Sequence, residues 1–262
     1  MADPVSSLSR LGGVARWGAL RRTCSRRQLR RAVRDGRIVR TAYGRYAHPH
    51  ADAARLAGSR LTGTVSHTSA ALHWGWAVKT APAEPHVTVS RHRKIDRPRR
   101  DGVLLHWRGL RPDEVTDGWV TSPVRTVIDC CFDLPFGEAL AVFDSSWRAG
   151  LKPREVQLAA LRLPVRQRNR VWAVARAADP RAASPFESVP RSIAMTVPTA
   201  RGAAGRRQGD RLLGACRPGR RRAAHRSEAD SFEFHTSRTA FDRDCRRYNG
   251  LVVRDWLVVR FT

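Results

Sequence analysis

The chain of 262 residues is poor in lysine, cysteine, methionine and acidic side chains. It also lacks an uninterrupted apolar stretch near the roughly 20 residues that a membrane-spanning helix needs, and its N-terminus has no apolar block typical of a secretory signal. We therefore expect a cytoplasmic protein with no membrane partner. Its five cysteines form no Cys-x-x-Cys pair, which disfavours a thiolate zinc site and predicts reduced, mostly structural thiols.

Acidic residues number 23 against 49 lysines and arginines, which gives a formal net charge of +26 and a pI near 11.6. Such an excess favours a polyanionic partner, most simply nucleic acid. Only three of the basic residues are lysines, and this arginine bias, together with abundant alanine and glycine, indicates a GC-rich genome. Part of the charge therefore reflects codon usage rather than function.

The first 50 residues predict a winged helix-turn-helix domain. The segment LGGVARWGALRR is expected to be helical, and a short turn follows it. In the next segment, SRRQLRRAVRDG, Ser25 is expected to be the N-cap, Gln28 completes a capping box, and Gly36 ends the helix. Two short strands around Gly44 are expected to form the wing.

The second of these helices is expected to be the recognition helix. Leu29 and Val33 lie four residues apart and should face inward, while arginines cover much of the remaining surface. A recognition helix needs a few apolar anchors and a cationic outer face that enters the major groove. The predicted DNA-binding residues are Ser25, Arg26, Arg27, Arg30, Arg31, Arg34 and, on the wing, Arg45.

Eleven arginines and one acid occur between Arg16 and Arg45. The alternative interpretation of this charge is a basic, solvated face on a small helical domain. On the wing itself, Arg40, Thr41 and Tyr43 are expected to pack within the strands rather than to contact DNA.

Residues 51–180 predict a mixed α/β middle domain. HVTVS and GVLLHW are typical of strands, and the basic segment 91–100 between them is either an extension of the DNA-binding surface or an exposed hairpin tip. SPVRTVIDCCFDL, GEALAVFDSSWRAG and RQRNRVWAVARAA have helical spacing. His67 and His73 do not have the spacing of a helical ligand pair, so we expect packing residues rather than metal ligands. Residues 177–183 are the expected linker.

The last 35 residues predict an acid-bearing strand, a helix and further strand structure. Glu228 and Asp230 lie two positions apart, so a strand would point both carboxylates the same way, where they can share a divalent cation. A helical run over 239–249 ends at Gly250. The segment LVVRDWLVVRF is too apolar for a surface loop and predicts two strands around a turn. The alternative for the two acids is that they are solvated strand ends.

The segments EADSFEFH, DRDCRRYNGL and WLVVRF resemble the C-terminal part of the Vsr-like branch of the PD-(D/E)XK nucleases, and the upstream SPFESVPR is similar to the first helix of that domain. This resemblance implies a Mg²⁺-dependent cut in a nucleic-acid phosphodiester. It assigns Glu228 and Asp230 as metal ligands. The catalytic residues that it implies are Glu187, Glu228, Asp230, His235, Asp244 and Arg247.

Residues 10–160 resemble the AbiEi-type antitoxins, which are abortive-infection proteins of type IV toxin–antitoxin systems. The resemblance is carried by the basic N-terminal domain, by LTGTVSHTSAALHWGWAV and by VTSPVRTVIDC. It implies DNA binding, repression of the protein's own operon and a cognate toxin as a partner.

Residues 199–226 interrupt the nuclease-like pattern with nine arginines, one acid and no strand-like alternation. The first strands of the nuclease domain and its first metal-binding aspartate belong here. Reading GC-rich codons for this segment one nucleotide later can give RLEVQPVVAKVTGFLGRVDLADVALRIV, which contains a GRVD motif and runs into EADSFEFH. We hypothesise two compensating frameshifts, in the gene or in its sequencing; a basic linker is the alternative.

The interruption has consequences for the expected chemistry. A pair of carboxylates without the third acid binds Mg²⁺ weakly, and Pro190 is expected to break the helix of SPFESVPRSIA at a cost of about 3 kcal/mol.

We therefore expect an α/β (α+β) protein of three domains: a winged helix-turn-helix over 1–50, a mixed domain over 51–180, and a disrupted Vsr-like domain over 184–262. The expected function is DNA binding with a degenerate nuclease domain. The alternative is a non-enzymatic regulator or antitoxin.

Overall fold

The computed structural model describes residues 2–195 and, as backbone only, the strands at residues 224–229 and 256–261. These residues form a mixed α/β fold, which confirms the predicted fold class. The chain is divided into two compact units. The first is formed by residues 1–76 and 80–130, and the second by residues 77–79 and 131–262. The domain boundaries at residues 50 and 180 stay predictions. Within the described residues, no helix is both long enough and apolar enough to cross a membrane.

The N-terminal part of the first unit combines short helices with a three-stranded sheet. Its elements are α1 (Pro4–Arg10), β1 (Val14–Arg16), α2 (Trp17–Leu20), α3 (Arg26–Arg34), β2 (Val39–Ala42) and β3 (Arg45–Ala47). Strand β3 lies between β1 and β2 and is antiparallel to both. The helices and sheet enclose one apolar core, made of Leu8, Leu20, Cys24, Leu29, Ala32 and Ile38.

The helix predicted from the segment LGGVARWGALRR is largely wrong, because only its part in α2 is helical. Gly12 and Gly13 have φ angles of +75° and +81°, a left-handed conformation that glycine adopts without steric cost and that ends α1. Residues 14–16 then pair with β3 as a strand. Tertiary strand pairing thus overrides the helical spacing of this segment.

The second predicted helix is confirmed as α3. The Oγ atom of Ser25 accepts a hydrogen bond from the backbone N of Gln28 at 3.2 Å, and Oε1 of Gln28 accepts one from the backbone N of Ser25 at 2.9 Å. These reciprocal bonds are a capping box. Leu29 is buried and Val33 packs against the same core, while Gly36 follows the helix with a φ of +69°.

Removing the cap should destabilise the first unit modestly. Ser25→Ala leaves the backbone N of Gln28 without its side-chain acceptor, so we expect a loss of about 1 kcal/mol in the free energy of unfolding. Urea unfolding checks this loss. The Ser25→Asp variant restores a capping oxygen and should be close to wild type in its free energy of unfolding. Equal losses in both variants would show that the capping oxygen is not what stabilises the helix.

The rest of the first unit is built on a five-stranded sheet with the order β6-β5-β4-β8-β7. Its elements are α4 (Ala53–Leu61), β4 (Thr64–Val65), α5 (His67–His73), β5 (His86–Val89), α6 (Arg97–Arg100), β6 (Leu104–Trp107), a 3-10 helix (Pro112–Glu114), β7 (Val115–Thr116), β8 (Val120–Thr121) and α7 (Pro123–Asp133), whose last residues belong to the second unit.

Both strands predicted in this region, β5 and β6, are confirmed. They are parallel neighbours, so the hairpin interpretation of segment 91–100 is wrong. Parallel strands need a crossover connection instead of a tight turn, and α6 lies within that crossover.

The second unit contains α8 (Phe136–Arg148), α9 (Pro153–Ala160), α10 (Val165–Ala177), α11 (Pro185–Ala194), β9 (Ala224–Ala229) and β10 (Trp256–Phe261). The predicted helices at α7, α8 and α10 are confirmed, and so is the terminal strand β10. Apart from Ala177, the last residue of α10, the expected linker 177–183 lies in the connection between α10 and α11. Strand β9 pairs in parallel with β10. It begins within the segment 199–226, where we expected no strand.

Helix α11 continues through Pro190, so the expected break at this residue is wrong. Proline has no N–H to donate to the preceding turn, but packing against α8 holds the helix on both sides of it. Oδ2 of Asp144 on α8 accepts hydrogen bonds from Oγ of Ser188, at 2.6 Å, and from the guanidinium of Arg191. The Asp144 carboxylate is fully buried, and it thus ties the turns before and after the proline to one point.

Candidate functional site

The outer side of α3 is a row of basic side chains. Leu29, Ala32 and Val33 fix the inner side of the helix against the core, which turns the arginines outward. All five of the arginines predicted on this helix are exposed: Arg26, Arg27, Arg30, Arg31 and Arg34. We call these five residues the α3 arginine face.

Little acidic charge opposes the α3 arginine face. Nε of Arg31 lies 3.7 Å from the Asp35 carboxylate and Nε of Arg34 lies 3.8 Å from it, long and exposed contacts of a kind that contributes at most about 1 kcal/mol. Within the described part of the chain, Arg27 and Arg30 have no acidic partner. Their charges therefore face solvent.

At the other end of this surface, Arg26 packs on an aromatic ring. Its guanidinium carbon lies 5.6 Å from the ring centroid of Trp17, within the range of a cation–π contact. This contact fixes the side chain at the start of the helix without removing its charge.

The turn between β2 and β3 carries an exposed tyrosine. Tyr43 is 94% exposed, so the prediction that it packs within the strands is wrong. It precedes Gly44, whose φ of +64° lets the chain reverse, and the guanidinium carbon of Arg40 lies 5.6 Å from the Tyr43 ring centroid. Thr41 does pack as predicted, with its Oγ1 2.7 Å from Oγ of Ser59. The sequence signal for this exposure is the position of the tyrosine next to a glycine in a turn.

Arg45, the predicted wing arginine, lies half-buried at the base of this turn. Its strand partner in β1 is Arg16. Burial is the main reason that the pKa of Arg45 is lowered, and the positive charges of Arg16 and Arg93 lower it further. Positive charge therefore accumulates here, and a bound anion would relieve it.

Of the six residues assigned by the nuclease resemblance, the structure describes the side chain of Glu187 and the backbone of Glu228. Glu187 is exposed in the first turn of α11, where its Oε2 accepts a hydrogen bond from the backbone N of Ala183 at 2.9 Å. The backbone of Glu228 lies on β9, opposite Arg260 of β10. Asp230, His235, Asp244 and Arg247 lie outside the described residues. The catalytic set and its Mg²⁺ ion therefore stay predictions.

Three histidines that are distant in sequence meet in the first unit. His67 begins α5, His86 begins β5 and His106 lies on β6. One ring nitrogen of each lies within 4.8 Å of those of the other two. The ring of His106 is stacked on that of His67, with centroids 3.7 Å apart, and lies 5.2 Å from that of His86. We call these residues the histidine cluster.

His73 has the packing role that was expected for both His67 and His73. The ring of His73 makes edge contacts with Trp74 and Trp119, at centroid distances of 5.0 and 4.6 Å. His67 is fully buried, but it packs against the other two histidines rather than against His73.

A buried ion-pair network lies beside the histidine cluster. Nη1 of Arg108 is 3.5 Å from Nε2 of His67 and donates to Oδ1 of Asp129 at 2.9 Å. Asp129 is fully buried, and Oδ1 also accepts from Nε of Arg125 at 3.1 Å. Arg125 in turn donates to Oε1 of Glu114 at 3.1 Å. The alternating signs balance the charges in this part of the unit.

Comparison with known proteins gives no family for this chain. No family model matches it, and no curated protein matches it. A crystal structure of the RV2827C protein from Mycobacterium tuberculosis is similar over 72% of this chain and 80% of that chain, at 14% sequence identity and a TM-score of 0.38.

Proposed function

We propose that this protein is a DNA-binding regulator that places α3 in the major groove and the β2–β3 turn on the adjacent backbone. The observation that carries the proposal is the α3 arginine face, held outward by a capped helix seated on an apolar core. The element order α1, β1, α2, α3, β2, β3 supports the predicted winged helix-turn-helix, with the β2–β3 turn as its wing.

The dimensions of α3 suit this role. A helix with its side chains is about 10–12 Å across, which fits the roughly 12 Å width of the major groove, and the nine residues of α3 give it a length of about 13 Å. Arginines on one helix face can bind guanine edges in pairs of hydrogen bonds or contact phosphates. Arg45 and the exposed Tyr43 lie at the turn, where a phosphate or the minor groove is the expected partner.

The resemblance to the AbiEi-type antitoxins extends the proposal to repression of the protein's own operon and to a cognate toxin as partner. The Vsr-like resemblance adds phosphodiester hydrolysis, with Mg²⁺ held by Glu228 and Asp230. For this chain we propose binding without efficient cutting, because a two-carboxylate site holds Mg²⁺ weakly. Mg²⁺-dependent nicking by the purified chain, lost in Glu228→Ala, would favour the nuclease instead.

DNA affinity should depend steeply on salt and should not depend on divalent cations. Each phosphate contact releases counterions, so a protein with about six arginine contacts should lose roughly a thousandfold in affinity between 50 and 200 mM salt. Fluorescence anisotropy of a labelled random-sequence duplex measures this, in EDTA throughout. An affinity that is flat with salt, or that vanishes in EDTA, contradicts the proposed mode of binding.

A further inference from the structure

We propose that the histidine cluster is a binding site for one divalent transition-metal ion of the zinc type. The proposal is independent of DNA binding. It rests on the positions of His67, His86 and His106, on the hydrogen bonds that orient His67, and on the backbone conformation at that residue.

The spacing of the three rings is close to that of a metal site. Nitrogen ligands at 2.0–2.1 Å in a tetrahedral zinc site lie about 3.3 Å from one another. Nδ1 of His86 and Nε2 of His106 are 2.9 Å apart, a distance at which one nitrogen must donate a hydrogen to the other. An ion that displaced this proton would need the two nitrogens about 0.4 Å further apart and the two rings turned toward a point beside the line that joins them. One ring nitrogen of each of the three histidines lies within 4.8 Å of one ring nitrogen of each of the other two.

Hydrogen bonds fix which nitrogen of His67 offers a lone pair. The guanidinium of Arg108 can only donate, and its Nη1 lies 3.5 Å from Nε2 of His67, so Nε2 presents its lone pair to Arg108. The hydrogen then lies on Nδ1, which donates to Oγ of Ser66 at 2.9 Å. Ser66 Oγ also accepts from Oγ1 of Thr88 at 2.8 Å. Metal-binding histidines characteristically donate their second ring nitrogen to such a partner, which orients the ring.

The backbone at His67 is strained. Its φ of +51° lies in the left-handed region, which residues with a side chain rarely adopt unless the surrounding structure imposes it, and such residues cluster at ligand-binding and catalytic sites. His67 is fully buried at this conformation. At this conformation its ring lies face to face with that of His106, with the ring centroids 3.7 Å apart.

The donor set selects the class of ion. Imidazole nitrogens suit Zn²⁺, Ni²⁺, Co²⁺ and Cu²⁺, whereas Mg²⁺ and Ca²⁺ require oxygen ligands. Three histidines leave a fourth tetrahedral position for water or an anion. Arg108 is the competitor of the ion, since its guanidinium occupies the direction of the His67 lone pair. This guanidinium already donates to Asp129 at 2.9 Å, and it keeps that partner when the ion enters.

Zinc binding by the full-length protein tests the proposal. In equilibrium dialysis against chelator-buffered Zn²⁺, the wild-type protein should bind one equivalent of the ion. The His86→Gln and His106→Gln variants should each bind Zn²⁺ at least tenfold more weakly. His92→Gln, at an exposed position between β5 and β6, is the matched control and should keep the ion. Mg²⁺ should neither bind in its place nor displace it.

Two further measurements do not depend on substituting a histidine. Co²⁺ should give the visible absorption of a tetrahedral site without thiolate charge-transfer bands, which separates the cluster from cysteine ligands. Arg108→Gln should bind Zn²⁺ about tenfold more tightly, because it removes the competing positive charge. Less than one equivalent in the wild type overturns the proposal. So does equal binding by the His86→Gln and His92→Gln variants.

Discussion

Replacing Arg27, Arg30 and Arg31 together with alanine should abolish DNA binding at physiological salt while leaving the fold intact. All three side chains are exposed on α3 and contribute nothing to its apolar core. Each lost charge-assisted contact costs roughly 1.5–3 kcal/mol, so the triple variant should bind at least a thousandfold more weakly. Anisotropy titrations of wild type and variant measure the difference.

The matched control removes the same charge elsewhere. Arg154, Arg162 and Arg166 are exposed in the second unit, and their triple alanine variant has the same net charge as the α3 variant. It should lose less than about tenfold in affinity, through the general electrostatic field alone. Equal losses in the two variants would mean that DNA responds to total charge, and the assignment of α3 as recognition helix would be wrong. Circular dichroism should show unchanged folding in both.

Replacing Asp129 with alanine should cost about 3–5 kcal/mol in the free energy of unfolding. Asp129 is fully buried, and its Oδ1 accepts from both Arg108 and Arg125. Removing one partner of a buried ion pair leaves the other charge desolvated without compensation. The side chain of Arg125 is only 8% exposed, so its charge contributes most of this cost, although its bond to Glu114 remains. Urea unfolding, followed by tryptophan fluorescence, measures the loss.

An exposed aspartate in the same unit gives the control for this prediction. Asp113 pairs with Arg111 at 3.0 Å, but its side chain is 61% exposed, so solvent screens the pair and the contribution is below about 1 kcal/mol. Asp113→Ala should therefore unfold close to wild type. A loss of similar size in both variants, or a loss below about 1 kcal/mol for Asp129→Ala, would show that burial does not strengthen the network.

Local signals in the sequence predicted the elements that they control. The capping box at Ser25 and Gln28 and the glycine stop at Gly36 adjoin the two ends of α3, so the sequence alone identified that helix and its exposed face. The apolar runs of β5 and β6 were equally informative. Where the prediction was wrong, a distant segment decided the outcome: β3 turns residues 14–16 into a strand, and α8 holds α11 together across Pro190.

The histidine cluster could not be predicted from local sequence patterns for the same reason, because distant segments bring its members together. Its members begin a helix and lie on two parallel strands, and the crossover between those strands places His86 and His106 side by side. His67 and His73 are close in sequence, whereas the ring that stacks on His67 is that of His106. Metal sites assembled across a sheet have no fixed spacing. The acids assigned by the nuclease resemblance differ from the histidines, because a local sequence motif identifies them. Except for Glu187, their side chains lie outside the described residues.

The dependence of DNA affinity on salt, compared between the wild type and the α3 triple alanine variant, tests the central claim most directly. The slope of log K against log salt changes by about 0.9 for each phosphate contact. If Arg27, Arg30 and Arg31 bind phosphates, the variant's slope should be shallower by about 2.7, measured at low salt where residual binding persists. A shallower slope of this size is the predicted result. Parallel lines for the two proteins would contradict the claim that α3 meets the DNA.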